Sequence, residues 1–252
     1  MRWSTNVRFR KRSDQVAEEI KTWVVTHNMM PGDRLPQEKD LIRLFGVSKG
    51  TAREALKALE VQGLVDIVTG PGGGAAIAEV SEERTMELLG NYFYFRTPAV
   101  KEIYEVREIL EPELAVLAVD HLTNDHFARL KDLIRKTTNA PTTSEERRDQ
   151  RTAELEFHNV LAEACPNTWL AFACRFMNRL LAEFVVFRKI YMSPQKDFAR
   201  SNLASHEELL EAFKRRDKTK VRRIMAQHME EAAAHMSNLD GVVDRTFLLR
   251  SG

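Results

Sequence analysis

The sequence predicts a mainly α protein in two parts: three short helices closed by a β-hairpin, then an all-helical bundle. Three observations predict it. Apolar residues recur at helical spacing from Val16 to Leu59; a glycine-rich tip, Gly70-Pro71-Gly72-Gly73-Gly74, separates two short apolar segments; and from Ser81 onward only helical patterns occur. Those later patterns are interrupted near Pro98, Asn124, Pro141, Pro166, Pro194 and Asp217.

Ser13 is suited to cap a first helix carrying Val16, Ile20, Trp23 and Val24 on one face, ending before the turn Met30-Pro31-Gly32-Asp33. Pro36 suits the start of a second helix, Glu38 favours its positive first turn, and Leu41, Ile42, Leu44 and Phe45 form its inner face before Gly46 stops it. Ser48 is then the N-cap of a third helix, Lys49 to about Gln62, with Ala52, Ala55, Leu56 and Leu59 as its apolar stripe. Gly63 ends that helix, and the segments Leu64 to Val68 and Ala75 to Ala78 pair as the hairpin. Three helices and a hairpin in this order make a winged helix-turn-helix. The expected division is residues 1–78 for this domain, 79–97 for a linker, 98–240 for a bundle of six or seven helices, and 241–252 for a tail. Thr137 to Ser144 is the most loop-like stretch of the bundle.

A chain of 252 residues with 43% hydrophobic and 30% charged content suits two modest cores. No run reaches the roughly 18 apolar residues of a membrane span, and no apolar signal core follows the start MRWSTNVRFRKR, so a cytoplasmic protein without membrane contact is expected. Cys165 and Cys174 lack the spacing of a zinc ribbon and read as small buried hydrophobes. The net charge of +1 hides an asymmetry: residues 1–78 hold 12 Lys+Arg against 9 Asp+Glu, the remainder 26 against 28. Arg2, Arg8, Arg10, Lys11 and Arg12 crowd the N-terminus, as an arm drawn to phosphates or as a solvated tail.

On the third helix Lys49, Arg53 and Lys57 stand at i, i+4 and i+8, and Gly50 and Thr51 leave its start slim. Such a helix can enter the major groove of DNA, where arginine bonds guanine in bidentate fashion; alone, the pattern equally describes a solvated basic flank. The order of the parts narrows this. The run GDRLPQEKDLIRLFGVSKGTAREALKALEVQGLV resembles the DNA-binding signature of the GntR family of bacterial regulators. The resemblance implies that Arg34, Lys49, Thr51 and Arg53 contact double-stranded operator DNA, that Gly72 and Gly73 of the wing approach the minor groove, and that a homodimer reads a palindromic operator. Two departures stand out: Gln37-Glu38-Lys39 replaces the usual Ser-Glu-Arg, and Lys49 replaces an arginine, keeping the charge without the planar fork.

In the second part Glu154 and His158 stand at i and i+4 within a helix spanning Glu145 to Ala164, while His206 and His228 come from later helices. A carboxylate and three imidazoles suit zinc or another divalent ion. The segments EVREILEPELAVLAV, EFHNVLAEACPN, SHEELLEAFKRRD and AQHMEEA resemble the FCD-type domain of the FadR-like GntR branch. That resemblance implies a metal site of Glu154, His158, His206 and His228, with glutamate where the family has aspartate, holding zinc, nickel or another divalent ion. His27, His121, His126 and His235 are read as structural or exposed. Arg107 matches a family position that meets a ligand carboxylate; it could instead form a surface ion pair with Glu111 at i+4. The implied protein is a ligand-responsive regulator, as a rule a repressor, sensing a small organic or sugar acid, with a metal-free acyl-CoA sensor as the alternative. An architectural DNA-binding protein whose bundle only dimerises is a third reading. No HExxH, nucleophile elbow or phosphate loop is present to support an enzyme.

Overall fold

The computed structural model describes residues 11–68, 70, 73–79, 81–94, 96, 99–188 and 196–237. It divides into two compact units, Met1–Leu88 and Leu89–Gly252. The predicted tail at 241–252 lies outside the described residues.

In the first unit α1 (Arg12–Thr26), α2 (Glu38–Phe45) and α3 (Lys49–Val61) precede the strands β1 (Val65–Val68) and β2 (Gly74–Ile77). Val16, Ala17, Ile20, Leu41, Ala55, Leu56, Leu59 and Val65 form one buried core. The hairpin is antiparallel, Val65 facing Ile77 and Val68 facing Gly74, and Leu35 N donates to Ala75 O at 2.9 Å, which lays the segment before α2 along the wing. Gly46 closes α2 with left-handed backbone, φ 60, a conformation glycine adopts without strain.

Three expectations need correction. Ser13 caps nothing: the N-cap position is Lys11, and Ser13 is buried inside the first turn. The reason is spacing, because Ser13, Ala17 and Ile20 share the face turned to the core. The second helix begins at Glu38, with Gln37 extended before it, two residues beyond Pro36. Leu44 is exposed, because it falls at the edge of the stripe that Leu41 and Phe45 turn toward the core.

A further helix, α4 (Glu82–Tyr94), occupies most of the stretch expected to link the domains. Its Arg84 donates through Nη2 to the carbonyl of Val61 (2.7 Å), in the last turn of α3, and to that of Glu60 (3.1 Å), which also accepts from Gly63 N. Gly63 makes room for this. Its φ is +76, and a Cβ there would meet Arg84 Nε at 3.0 Å.

The second unit holds α5 (Val100–Ala118), α6 (Asn124–Thr138), α7 (Ser144–Ala164), α8 (Thr168–Arg188), α9 (Lys196–Lys214) and α10 (Lys218–Ser237). Thr123 and Thr143 cap α6 and α7 by accepting from the backbone N–H three residues on. Helix α10 packs on α5 and α9, and α7 on α6 and α8, around Leu114, Leu130, Phe157, Leu161, Leu209 and Phe213. Cys165 and Cys174 are free and buried. No helix among the described residues is long and apolar enough to cross a membrane.

Candidate functional site

The start of α3 is fixed by Ser48, whose Oγ accepts from Thr51 N at 3.1 Å and lies 2.9 Å from Thr51 Oγ1. Lys49, Arg53 and Lys57 are exposed along the helix. Glu38, in the first turn of α2, accepts from Arg53 Nε at 2.8 Å and faces Lys49 Nζ at 3.7 Å. The hydrogen bond from Arg53 and the two positive charges hold the Glu38 carboxyl below its usual range, against a smaller desolvation effect. One acid on the preceding helix therefore holds both cations at the N-terminal end of α3. Arg34 is exposed beside the wing, its backbone bridged to Ala76. At Gly73 a Cβ would come within 2.3 Å of Val68 O, so the turn admits glycine there. Gly72, Arg2, Arg8 and Arg10 lie outside the described residues. Arg12 is pinned to the fold through Glu19 (2.9 Å) and Phe45 O (3.3 Å).

In the second unit the structure brings His158 of α7, His206 of α9 and His228 of α10 together, with ligating atoms within 4.8 Å of one another and all three rings buried. They line a partly open cavity whose wall also carries Tyr104, Arg107, Arg151, Glu154 and Asn202. The donors fit a divalent ion. His158 Nε2 and His228 Nε2 are 3.3 Å apart, close to the roughly 3.4 Å that two tetrahedral ligands with ~2.1 Å bonds subtend. His206 Nε2 and His228 Nδ1 are buried without a hydrogen-bond partner. Burial, then neighbouring positive groups, push the pKa of His206 and His228 well below the usual histidine value, so both are neutral imidazoles with a lone pair to offer.

Glu154 lines the same cavity but is not drawn into this cluster: its Oε2 accepts from Arg151 Nη1 at 2.8 Å. Arg151 in turn lies over the Phe198 ring, 4.4 Å from its centroid.

Arg107 pairs with Glu111, but not on the surface. The guanidinium is 2% exposed and the carboxylate fully buried, with Arg107 Nε donating to Glu111 Oε1 at 3.1 Å. The other oxygen, Oε2, stands 3.0 Å from His158 Nδ1. Burial raises the pKa of Glu111, and the adjacent His158 and Arg107 more than reverse this, bringing it down to about 2. Arg107 Nη2 is buried without a partner in a residue that lines the cavity.

Reasoning from sequence missed the roles of Glu38, Arg84, Arg151 and Asn202, and considered Glu111 only as a surface partner of Arg107, the alternative to a ligand-binding Arg107. Asn202 was open to detection, being one turn before His206 on the same face of α9. Arg84 gave no signal, because capping a distant helix has no spacing rule.

A winged helix with cations ordered along its third helix, joined to a helical bundle whose cavity gathers buried imidazoles and a guanidinium, defines a ligand-responsive DNA-binding regulator. Residues 12–74 match the model of the bacterial regulatory proteins of the gntR family, and residues 102–231 match the FCD domain. The chain belongs to the gntR family, in the branch that carries an FCD domain: it is a transcription regulator sensing a small-molecule effector, and not an enzyme. It is 26% identical to the Uxu operon regulator of Haemophilus influenzae, over 97% of this chain and 91% of that protein. To the transcriptional regulator LutR of Bacillus subtilis it is 27% identical, over 87% and 95%. The transcriptional repressor NanR of Salmonella newport is 25% identical over 89% and 85%. The fold is shared with Streptococcus agalactiae GntR at a TM-score of 0.59 and 19% identity, covering 88% of this chain and 99% of that one.

Proposed function

We propose that this regulator works in the cytoplasm as a homodimer on a palindromic operator, and that a small organic or sugar acid bound in the helical unit controls that binding. Arg34, Lys49, Thr51 and Arg53 contact the duplex, and the wing with Gly72 and Gly73 approaches the minor groove. The observation that carries the effector reading is the meeting, in one cavity, of three buried imidazoles and a buried guanidinium with an unpartnered Nη2. His158, His206 and His228 would hold a divalent ion, zinc in the first instance or nickel, with Glu154 as the fourth ligand once released from Arg151. When bound, that ion supplies positive charge to one side of the effector carboxylate; Arg107 supplies it to the other. Arg151 and Asn202 add polar anchors to a wall otherwise built largely of apolar side chains such as Leu155, Leu181 and Met229, which suits a small acid held by its charged and hydroxyl groups. The name of the Salmonella relative, a repressor, supports repression as the mode of action, which on this reading the effector relieves.

The test is a thermal-shift screen of organic and sugar acids on the full chain, with and without chelator, followed by operator titration with any acid that binds. An acid that raises the melting temperature only in the metal-loaded protein, and lowers operator affinity, is the expected result. Operator binding that no acid alters in either state would leave the bundle as a dimerisation device and reject the proposal.

A further inference from the structure

Glu111 is the one fully buried carboxylate among the described residues, and both of its oxygens are engaged by groups of the cavity wall. An ionised carboxylate only accepts hydrogen bonds. Facing it at 3.0 Å, His158 therefore donates from Nδ1, and Nε2, the atom turned toward His228, is the one the ring can offer to a metal. The second oxygen takes Arg107 Nε at 3.1 Å, which fixes the plane of the guanidinium and leaves Nη2 as its unpartnered corner. Glu111 and Arg107 are one turn apart on α5, and His158 is on α7, so a single carboxylate sets two cavity groups that come from different helices.

We propose that Glu111 is a positioning residue for the effector site: it presents His158 Nε2 to the metal and Arg107 Nη2 to the effector acid. It touches neither metal nor acid itself. The inference rests on the metal-and-acid reading of the cavity and deepens it, because it makes the two binding groups depend on one side chain. A pair serving only to hold the core together would leave the metal indifferent to its removal once the fold is intact.

The experiment uses the full chain and Zn²⁺ alone, with affinity read by competition against a chelator and geometry read from the visible absorption of the Co²⁺-loaded protein. In Glu111→Gln the amide can accept from one neighbour but turns a donor toward the other. Zn²⁺ affinity is expected to fall between about tenfold and a hundredfold, with an altered Co²⁺ spectrum. Should that variant fold poorly, the double replacement Arg107→Met with Glu111→Met carries the test, since apolar residues of similar volume often replace a buried ion pair without loss of stability. The pair is net neutral, so its removal leaves the overall charge near the imidazoles unchanged and isolates the loss of orientation. The same fall in Zn²⁺ affinity supports the role. A folded variant with wild-type affinity and spectrum overturns it while leaving the metal reading standing, and a wild-type protein that takes up no Zn²⁺ overturns both.

Discussion

Along α3 of the N-terminal unit, Lys49, Arg53 and Lys57 meet their acidic partners Glu38 and Glu60 in side chains that solvent still reaches, the lysine and arginine side chains being 64% to 72% exposed. In the helical unit Arg107, Glu111 and His158 form a chain of ionic and hydrogen-bonded contacts no more than 3% exposed. The first arrangement is screened by water and salt, so its cations can turn from a carboxylate to a phosphate or a base edge at small cost. In the second, the groups compensate one another's lost hydration where water cannot, Glu111 standing between Arg107 and His158. An exposed charge is available to a partner of any shape, whereas a buried one is committed to a ligand that completes the set.

The largest expected effect tests that commitment. Arg107→Ala leaves Glu111 buried beside an imidazole alone and should cost about 3–5 kcal/mol in urea unfolding of the metal-free protein. Lys57→Ala, on the exposed flank, should stay within about 0.5 kcal/mol. Equal losses in the two variants would erase the contrast. Next comes the metal. Zn²⁺ at a thousandfold excess over its dissociation constant should stabilise the wild type by about 4 kcal/mol, seen as a rise in melting temperature that chelator reverses. His228→Ala should lose most of that rise, and a variant that kept all of it would remove His228 from the ligand set.

Two smaller effects belong to α3. Arg53→Ala should weaken operator binding by about 1–3 kcal/mol and relax the preference at one base position, as read by titrations against single-base variants of the operator. Unchanged affinity and preference would take Arg53 out of the interface. Ser48→Ala removes the oxygen that accepts from Thr51 N and should cost about 1 kcal/mol of stability, while Ser48→Gly costs a few tenths. Equal stability of the serine and alanine forms would show that the cap contributes nothing.

What could be read in the sequence follows the same divide. The third helix was legible in full, because its cap at Ser48, its stripe Ala52, Ala55, Leu56 and Leu59, and its stop at Gly63 are local signals carried within a few residues of one another. Ser13 misled for the same local reason: a serine before an amphipathic run looks like a cap whether or not its face is turned to the core. In the helical unit the bundle was legible from periodicity, but the meeting of His158, His206 and His228 was not, since nothing in the spacing of three helices says which faces converge. That expectation came from family resemblance. Arg107 and Glu111 at i and i+4 form the commonest pattern of a helix surface, and only the packing of α5 among α7, α8 and α10 reveals them as buried. The pairing of Glu154 with Arg151 was equally hidden, because which partner a carboxylate chooses depends on rotamers and not on register.

The smallest effect asks whether burial or domain membership sets the contrast. Arg129 of α6 and Glu163 of α7 lie in the helical unit, yet their side chains are 37% and 41% exposed. Arg129 Nη2 donates to Glu163 Oε1 at 2.8 Å, and Nη1 reaches the other oxygen. The hydrogen bonds from Arg129 hold the Glu163 carboxyl below its ordinary value, against a smaller desolvation effect. A folded-state pKa below the unfolded one means that the pair stabilises the protein above the ordinary carboxylate pKa of about 4.3, and that this contribution fades as pH falls through the lower folded value. Solvent screening keeps it under about 1 kcal/mol. The stability difference between wild type and Glu163→Gln should therefore be small at pH 7, shrink toward zero under acid, and shrink again in high salt. If it instead rivals the loss in Arg107→Ala and resists salt, the helical unit strengthens ion pairs wherever they sit, and burial is not what separates the two halves of the molecule.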